Sequence, residues 1–170
     1  MKTSIFFTLV FLSGLANAQI CNPNIVDNWG NSRYDNNYNG TVVDKQTKLM
    51  WKRCAEGLED IQCSKGSASK VTWRKALRSA KESKFAGYND WRLPNIKELA
   101  SLVKRNCHSP SINKRLFPNT PSAFFWSSSP SYLRKHKSLQ VRFLSGSERE
   151  KKRSFEKSGV RLVRLGQFKP

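Results

Sequence analysis

The sequence predicts an α+β fold with two helices, short antiparallel strands and long loops tied by disulfides. Three observations carry that prediction. Apolar residues recur at helical spacing over 72–84 and again over 95–103. Leu139, Val141 and Phe143 alternate with Gln140 and Arg142, the period of a half-buried strand. Four cysteines follow an exported-type leader, which makes disulfides the first reading of them.

The leader comes first in the chain. Lys2 gives a positive start, Ile5 to Leu12 is an apolar run broken by Thr8, and Ala16-Asn17-Ala18 supplies small residues for cleavage. Residues 1–18 therefore read as a signal peptide and residues 19–170 as a single domain, secreted or displayed at the cell surface, with the periplasm as the other destination. The apolar run is too short to span about 30 Å of hydrocarbon, and no later stretch reads as a transmembrane segment.

Residues 21–40 are rich in Asn, Asp and Gly, which is turn and loop chemistry. Thr41 to Asp44 and Leu49 to Trp51 read as two short strands joined by a turn over 45–48. Cys54 to Ser69 reads as a disulfide-closed loop. Thr72 is placed to cap a helix running to about Lys84, with Trp73, Ala76, Leu77 and Ala80 on one face and Arg74, Lys75 and Arg78 among the rest. Asn95 and Glu98 form the capping pair of a second helix, whose apolar positions are Ile96, Leu99, Leu102 and Val103. Beyond Cys107 the spacing of Pro110, Pro118, Pro121 and Pro130 predicts irregular chain up to the strand at 139–143. Gly146 to Arg153 reads as a charged turn and Val160 to Leu165 as a closing strand. Of the three cysteine pairings, Cys54–Cys63 with Cys21–Cys107 is the expected one: the first closes a local loop, the second ties the mature N-terminus to mid-chain.

The chain carries 31 Lys+Arg against 12 Asp+Glu, a formal charge of +19. Its apolar content and five tryptophans suffice for a core, which excludes a wholly disordered basic tail. Solubility needs far less charge than this, so either an anionic partner or a site that must repel cations is implied. From Ser131 to the C-terminus twelve basic residues face three acidic ones. Arg134, Lys135 and Lys137 form one cluster, and Arg149, Lys151, Lys152 and Arg153 another. Arg74, Lys75 and Arg78 add a second patch on the first helix. Such clusters hold sulfate or phosphate groups through charge-assisted hydrogen bonds. No nucleic-acid module is visible, and export removes the chain from the cytoplasm, so sequence-specific nucleic-acid reading is not expected.

Other chemistry has little to rest on. Asp35, Asn37 and Asn39, with Gly40 in sixth place, match the first half of a calcium loop, but its twelfth place is Gln46 rather than Glu. The bland reading is a hairpin turn at Asn39-Gly40. No metal site, cofactor or catalytic residue is assigned. His108 and His136 lie in loop-like segments, Ser127 to Ser129 lacks the glycines of a nucleophile elbow, and Glu148, Glu150 and Glu156 sit among basic residues as surface ion pairs.

Several segments taken in order carry a family resemblance: Asn39 to Asp44, Thr47 to Trp51, Gly87-Tyr88-Asn89-Asp90-Trp91-Arg92-Leu93-Pro94-Asn95, Ile96 to Leu99, Phe125 to Ser128, and Val160 to Arg164. The series resembles the Lcl C-terminal domain family, named for the C-terminal domain of the Legionella collagen-like adhesin. The resemblance implies a C-type-lectin-like fold and an exported protein. It also implies binding of sulfated glycosaminoglycans or other extracellular polyanions through a basic surface. That adhesin is trimeric; here the leader runs straight into the matching segments without a collagen-like stalk, which leaves a homotrimer open. The motif residues read as structural: Trp51, Trp73, Trp91 and Trp126 as core anchors, and Asp90 with Arg92 bracing the loop between the helices. Asn89-Asp90 is similar to the Asn-Asp pair of calcium-dependent lectins, whose usual partner motif is missing. Two rival readings are an envelope accessory protein docking on lipopolysaccharide or an acidic protein, and an enzyme on a lectin-like scaffold, as in formylglycine-generating enzymes.

Overall fold

The structure is a computed structural model that describes residues 18–27, 29–30 and 32–166. Residues 1–17 of the expected leader lie outside the described residues. In chain order the elements are β1 (Ile20–Cys21), β2 (Tyr34–Asn36), β3 (Thr41–Asp44), β4 (Leu49–Lys52), β5 (Leu58–Glu59) and β6 (Lys65–Gly66). Then come α1 (Trp73–Glu82), α2 (Ile96–Ala100), β7 (Cys107–His108), β8 (Phe124–Pro130), β9 (Lys137–Arg142), β10 (Ser147–Lys152) and β11 (Val163–Leu165). Two antiparallel sheets organise them, one in the order β11-β4-β3-β2 and one in the order β10-β9-β8; the pairs β1-β7 and β5-β6 are small additions. This is the mixed α+β architecture that the patterning implies.

Both faces of the four-stranded sheet are covered. Val42 lies opposite Trp51 and Val43 opposite Met50. The first pair joins a cluster with Leu99, Leu102, Phe117, Phe125 and Val141. The second joins Ala76, Ala80, Trp91, Trp126 and Leu162. Burying both faces explains why Thr41 to Asp44 shows no polar alternation.

The disulfides are Cys21–Cys107 and Cys54–Cys63, the expected pairs, and no free cysteine remains among the described residues. The turn before β3 falls at Asn39-Gly40, and Gly40 has φ +84°, a conformation that glycine adopts at little cost. The second helix opens on the expected reciprocal cap: the Glu98 amide donates to Asn95 Oδ1 at 2.8 Å, and the Asn95 amide to Glu98 Oε2 at 2.7 Å.

Other expectations need correction. α1 ends at Glu82 rather than Lys84, and the Thr72 hydroxyl makes no capping bond. α2 stops at Ala100, so Leu102 and Val103 are buried from the turn that follows it. The stretch read as irregular contains β8. Its serines are paired through hydrogen bonds rather than apolar burial: Ser127 donates to Leu139 O, Ser128 to Pro94 O, and Ser129 Oγ accepts from the Ile96 amide. On β9, Ser138 and Gln140 are wholly buried and Leu139 only half so, which reverses part of the expected alternation because both faces of this sheet are packed. The charged turn of 146–153 is mostly β10, an edge strand. Charged side chains are a usual way to keep an edge from pairing further. The reversal itself sits at Gly146, with φ +78° and its backbone against Val103.

Asp90 and Arg92 tie the loop between the helices through separate partners. Arg164 donates to Asp90 and holds its carboxyl below the usual value, while Arg92 grips Glu98 with both terminal nitrogens. Trp51, Trp91 and Trp126 are core anchors, and Trp73 is only half-buried. Trp29, in the segment rich in turn residues, is buried and stacks on Tyr34 at 4.4 Å between centroids. Arg161 is wholly buried, bonded to the Lys52 carbonyl and the Thr120 hydroxyl, and burial pushes it down to about 9.

Asp44 contributes to the acid limit of this framework, as do Asp27, Asp60, Asp90 and Glu98, whose carboxyls are also held below their usual values. Burial pushes the Asp44 carboxyl up, but the Arg33 guanidinium at 2.6 and 3.0 Å and the Gln46 amide outweigh that, and the net position is below the usual value. A carboxylate lowered on folding stabilises fully above about pH 4 and loses that contribution as pH falls further. The urea midpoint is expected to hold from pH 6 to about 4 and then drop. Asp44→Asn is expected to be less stable at neutral pH, with a shallower drop below about pH 4.

A candidate anion-binding site

The site grows from strand alternation on β10. Arg149 and Lys151 project to the face of the sheet that carries Gln140 and Ser138, and Arg153 follows them just past the strand. Arg149 Nε donates to Gln140 Oε1 at 3.3 Å, and Arg153 Nε donates to Ser138 Oγ at 2.8 Å. Their two acceptors lie two residues apart on one strand, which sets the guanidinium anchor points about 7 Å apart.

Each arginine lies over an aromatic ring. Arg153 sits 4.4 Å from the Trp73 ring centroid and Arg149 3.2 Å from that of Phe124, which Arg142 also flanks at 5.3 Å. Trp73 is held by its indole N–H on the Ser127 carbonyl. Two clefts result. One, of about 370 Å³, is lined by Thr72, Trp73, Arg74, Arg153 and Ser154. The other, of about 190 Å³, is lined chiefly by Lys70, Phe124, Arg142, Arg149 and Lys157. Val71 and Ser158 pair through two 3.0 Å backbone bonds in the segment between them. Neither lining includes a carboxylate.

Local electrostatics favour an anion here. The N-terminus of the ten-residue α1 opens at the first cleft, with no acidic residue in its first turn. Burial pushes the Arg149 guanidinium below its ordinary value, and the Arg142 charge adds to this against Glu156. A bound anion would relieve both effects.

The structure divides the sequence-derived clusters. Arg74 and Arg153, expected on separate patches, share one cleft. Arg149 joins the second, and Lys151 pairs with Glu156. Lys75 and Arg78 are exposed on α1 outside the clefts. Lys152 faces the other way, opposite Lys137. Arg134 and Lys137 are tied to Glu150, and Lys135 is exposed at the end of the sheet. The calcium candidates do not converge: Asp35 pairs with Lys45, while Asn37 and Asn39 are both bonded to Thr41. Lys70, Phe124, Arg142 and Lys157 are additions to the sequence-derived set. Their signal in the sequence is an arginine two places after Gln140, on the same face of the same strand.

These features define a basic, disulfide-tied α+β chain with paired clefts of positive charge. Residues 40–164 match the family model described as the Lcl C-terminal domain. The chain belongs to that family of adhesin-associated domains, and the matched span holds every residue of both clefts. No curated protein matches it.

Proposed function

We propose that the protein is a secreted, non-enzymatic, lectin-like adhesin domain that binds polyanions, sulfated glycosaminoglycans foremost, through the two clefts. It would form a single domain behind its leader, on a C-type-lectin-like scaffold. The observation that carries this reading is the pair of adjacent clefts, each with arginine over an aromatic floor and no carboxylate in its lining. Arginine suits sulfate because its planar fork donates two parallel hydrogen bonds, and the rings hold that fork in place. Two clefts about 7 Å apart at their anchor points would engage successive charged groups of one chain, so affinity would fall steeply with salt. The disulfides fit an oxidising location outside the cytoplasm.

Retention on immobilised heparin against a cation exchanger of matched charge density tests the proposal. Elution from heparin at clearly higher salt is expected. Equal elution would reduce the basic surface to generic attraction and overturn the glycan reading.

A further inference from the structure

A second surface lies at the end of the three-stranded sheet, outside both clefts. The loop between β8 and β9 lifts Tyr132 and Leu133 to 97% and 80% exposure, and the turn after β10 lifts Phe155 to 79%. The two tips are neighbours, because the Arg153 amide donates to the His136 carbonyl at 3.0 Å and Lys137 pairs with Lys152.

These apolar tips are held rather than loose. Ser131 N–H donates to the Lys137 carbonyl and closes the base of the first loop. Glu150 accepts from the Ser131 hydroxyl, Arg134 and Lys137, pinning the loop from the adjacent strand. The second turn is closed by the Glu156 amide on the Lys152 carbonyl at 3.4 Å and by the Lys151–Glu156 ion pair. Around the tips, residues 131–137 and 150–157 hold seven Lys and Arg against Glu150 and Glu156; Arg153 and Lys157 of these also line the clefts, and the other five do not. Like charge is felt there: burial and the charges of Arg134, Lys152 and Lys151 push Lys137 below its ordinary value.

We infer that this end of the sheet docks on an anionic phospholipid bilayer, with Tyr132, Leu133 and Phe155 entering the interface and the surrounding lysines and arginines meeting lipid phosphates. Charge complementarity selects the partner. A protein interface buries its apolar anchors inside a polar rim depleted in lysine, whereas exposed aromatic and leucine tips ringed by lysine and arginine match the layered polarity of a membrane surface. The inference goes beyond the polyanion reading and does not depend on it, since none of the three apolar residues lines a cleft.

Co-sedimentation of the disulfide-bonded protein with phosphatidylcholine vesicles, with and without about 30% phosphatidylglycerol, tests it. Binding to the anionic vesicles alone is expected at about 0.15 M NaCl, with a fraction surviving about 0.5 M because insertion is not screened. Tyr132→Ser/Leu133→Ser/Phe155→Ser is expected to lose about tenfold or more of the salt-resistant partition while its heparin elution stays unchanged. Failure of the parent protein to bind anionic vesicles, or a triple variant that partitions like the parent, would overturn the inference. Should the triple variant not fold, Leu133→Trp carries the test: quenching of its added emission by acyl-brominated lipid supports insertion, and no added quenching overturns it. If heparin and exchanger elute the protein alike while vesicles still bind it, the glycan reading falls and this one stands.

Discussion

Arg149→Ser/Arg153→Ser is expected to weaken heparin binding about a hundredfold near physiological salt, since each lost charge-assisted contact costs about 1.5 kcal/mol or more. The salt dependence should become shallower at the same time, because fewer counterions are released on binding. Lys135→Ser/Lys152→Ser removes the same formal charge from residues outside both clefts, so a loss under about threefold is expected there. Arg149→Lys/Arg153→Lys keeps the charge but loses the planar fork over each ring, and about a tenfold loss is expected. Equal effects of the two serine pairs would mean that position is irrelevant and charge alone acts. Near-ultraviolet circular dichroism on each variant separates binding loss from unfolding, which matters because Arg153 also satisfies the buried Ser138 hydroxyl.

Trp126→Ala is expected to destabilise the protein by about 3–5 kcal/mol, a large share of the 5–15 kcal/mol typical of a folded chain. Trp126 is wholly buried beneath α1 in the cluster with Ala76 and Ala80, where two small residues let the helix approach the sheet. Its indole N–H donates to the Val71 carbonyl at 2.8 Å, so the substitution also removes one of that carbonyl's two hydrogen bonds and leaves the Ser158 amide as its remaining donor, in the segment that separates the two clefts. Urea unfolding measures the first effect. At temperatures where the variant remains folded, heparin elution should still shift modestly to lower salt, because Val71 and its neighbours Lys70 and Thr72 lose the indole beneath them and keep only the Ser158 pairing. A core change elsewhere offers the contrast: Leu102→Ala should lower stability without moving elution of the folded fraction, since Leu102 packs in the other cluster.

Apart from the Cys21–Cys107 bridge, which is what remains once Cys54 closes on Cys63, the parts of the fold legible in the sequence are those governed by near neighbours. Asn95 and Glu98 specify their cap within one turn, Asn39-Gly40 specifies a reversal within four residues, and a cysteine pair nine residues apart closes its own loop. What escaped reading depends on partners distant in sequence. Ser127 to Ser129 resemble a turn until Leu139, Pro94 and Ile96 supply their hydrogen-bond partners. Gln140 looks solvated until Ser158 and Arg149 meet it. Arg161 gives no local sign that two backbone carbonyls and a threonine await it in the interior. Net charge was likewise readable, but its partition was not. Once 147–152 pairs as a strand, Lys152 turns away from Arg149 and Arg153, and only that pairing joins Arg153 to Arg74 across a single cleft.

The backbone pairing of Val71 with Ser158 joins stretches from opposite halves of the chain, and both clefts take their walls from the two sides of that seam. An unfolded chain carries the same charges yet has neither cleft, so selective retention by a sulfated matrix would report completed folding rather than composition. One cut by a protease in the exposed Ser154–Phe155 turn would remove the covalent tie between the Arg153 wall of the first cleft and the Ser158 side of that seam, and selective retention should weaken while every arginine stays in the chain.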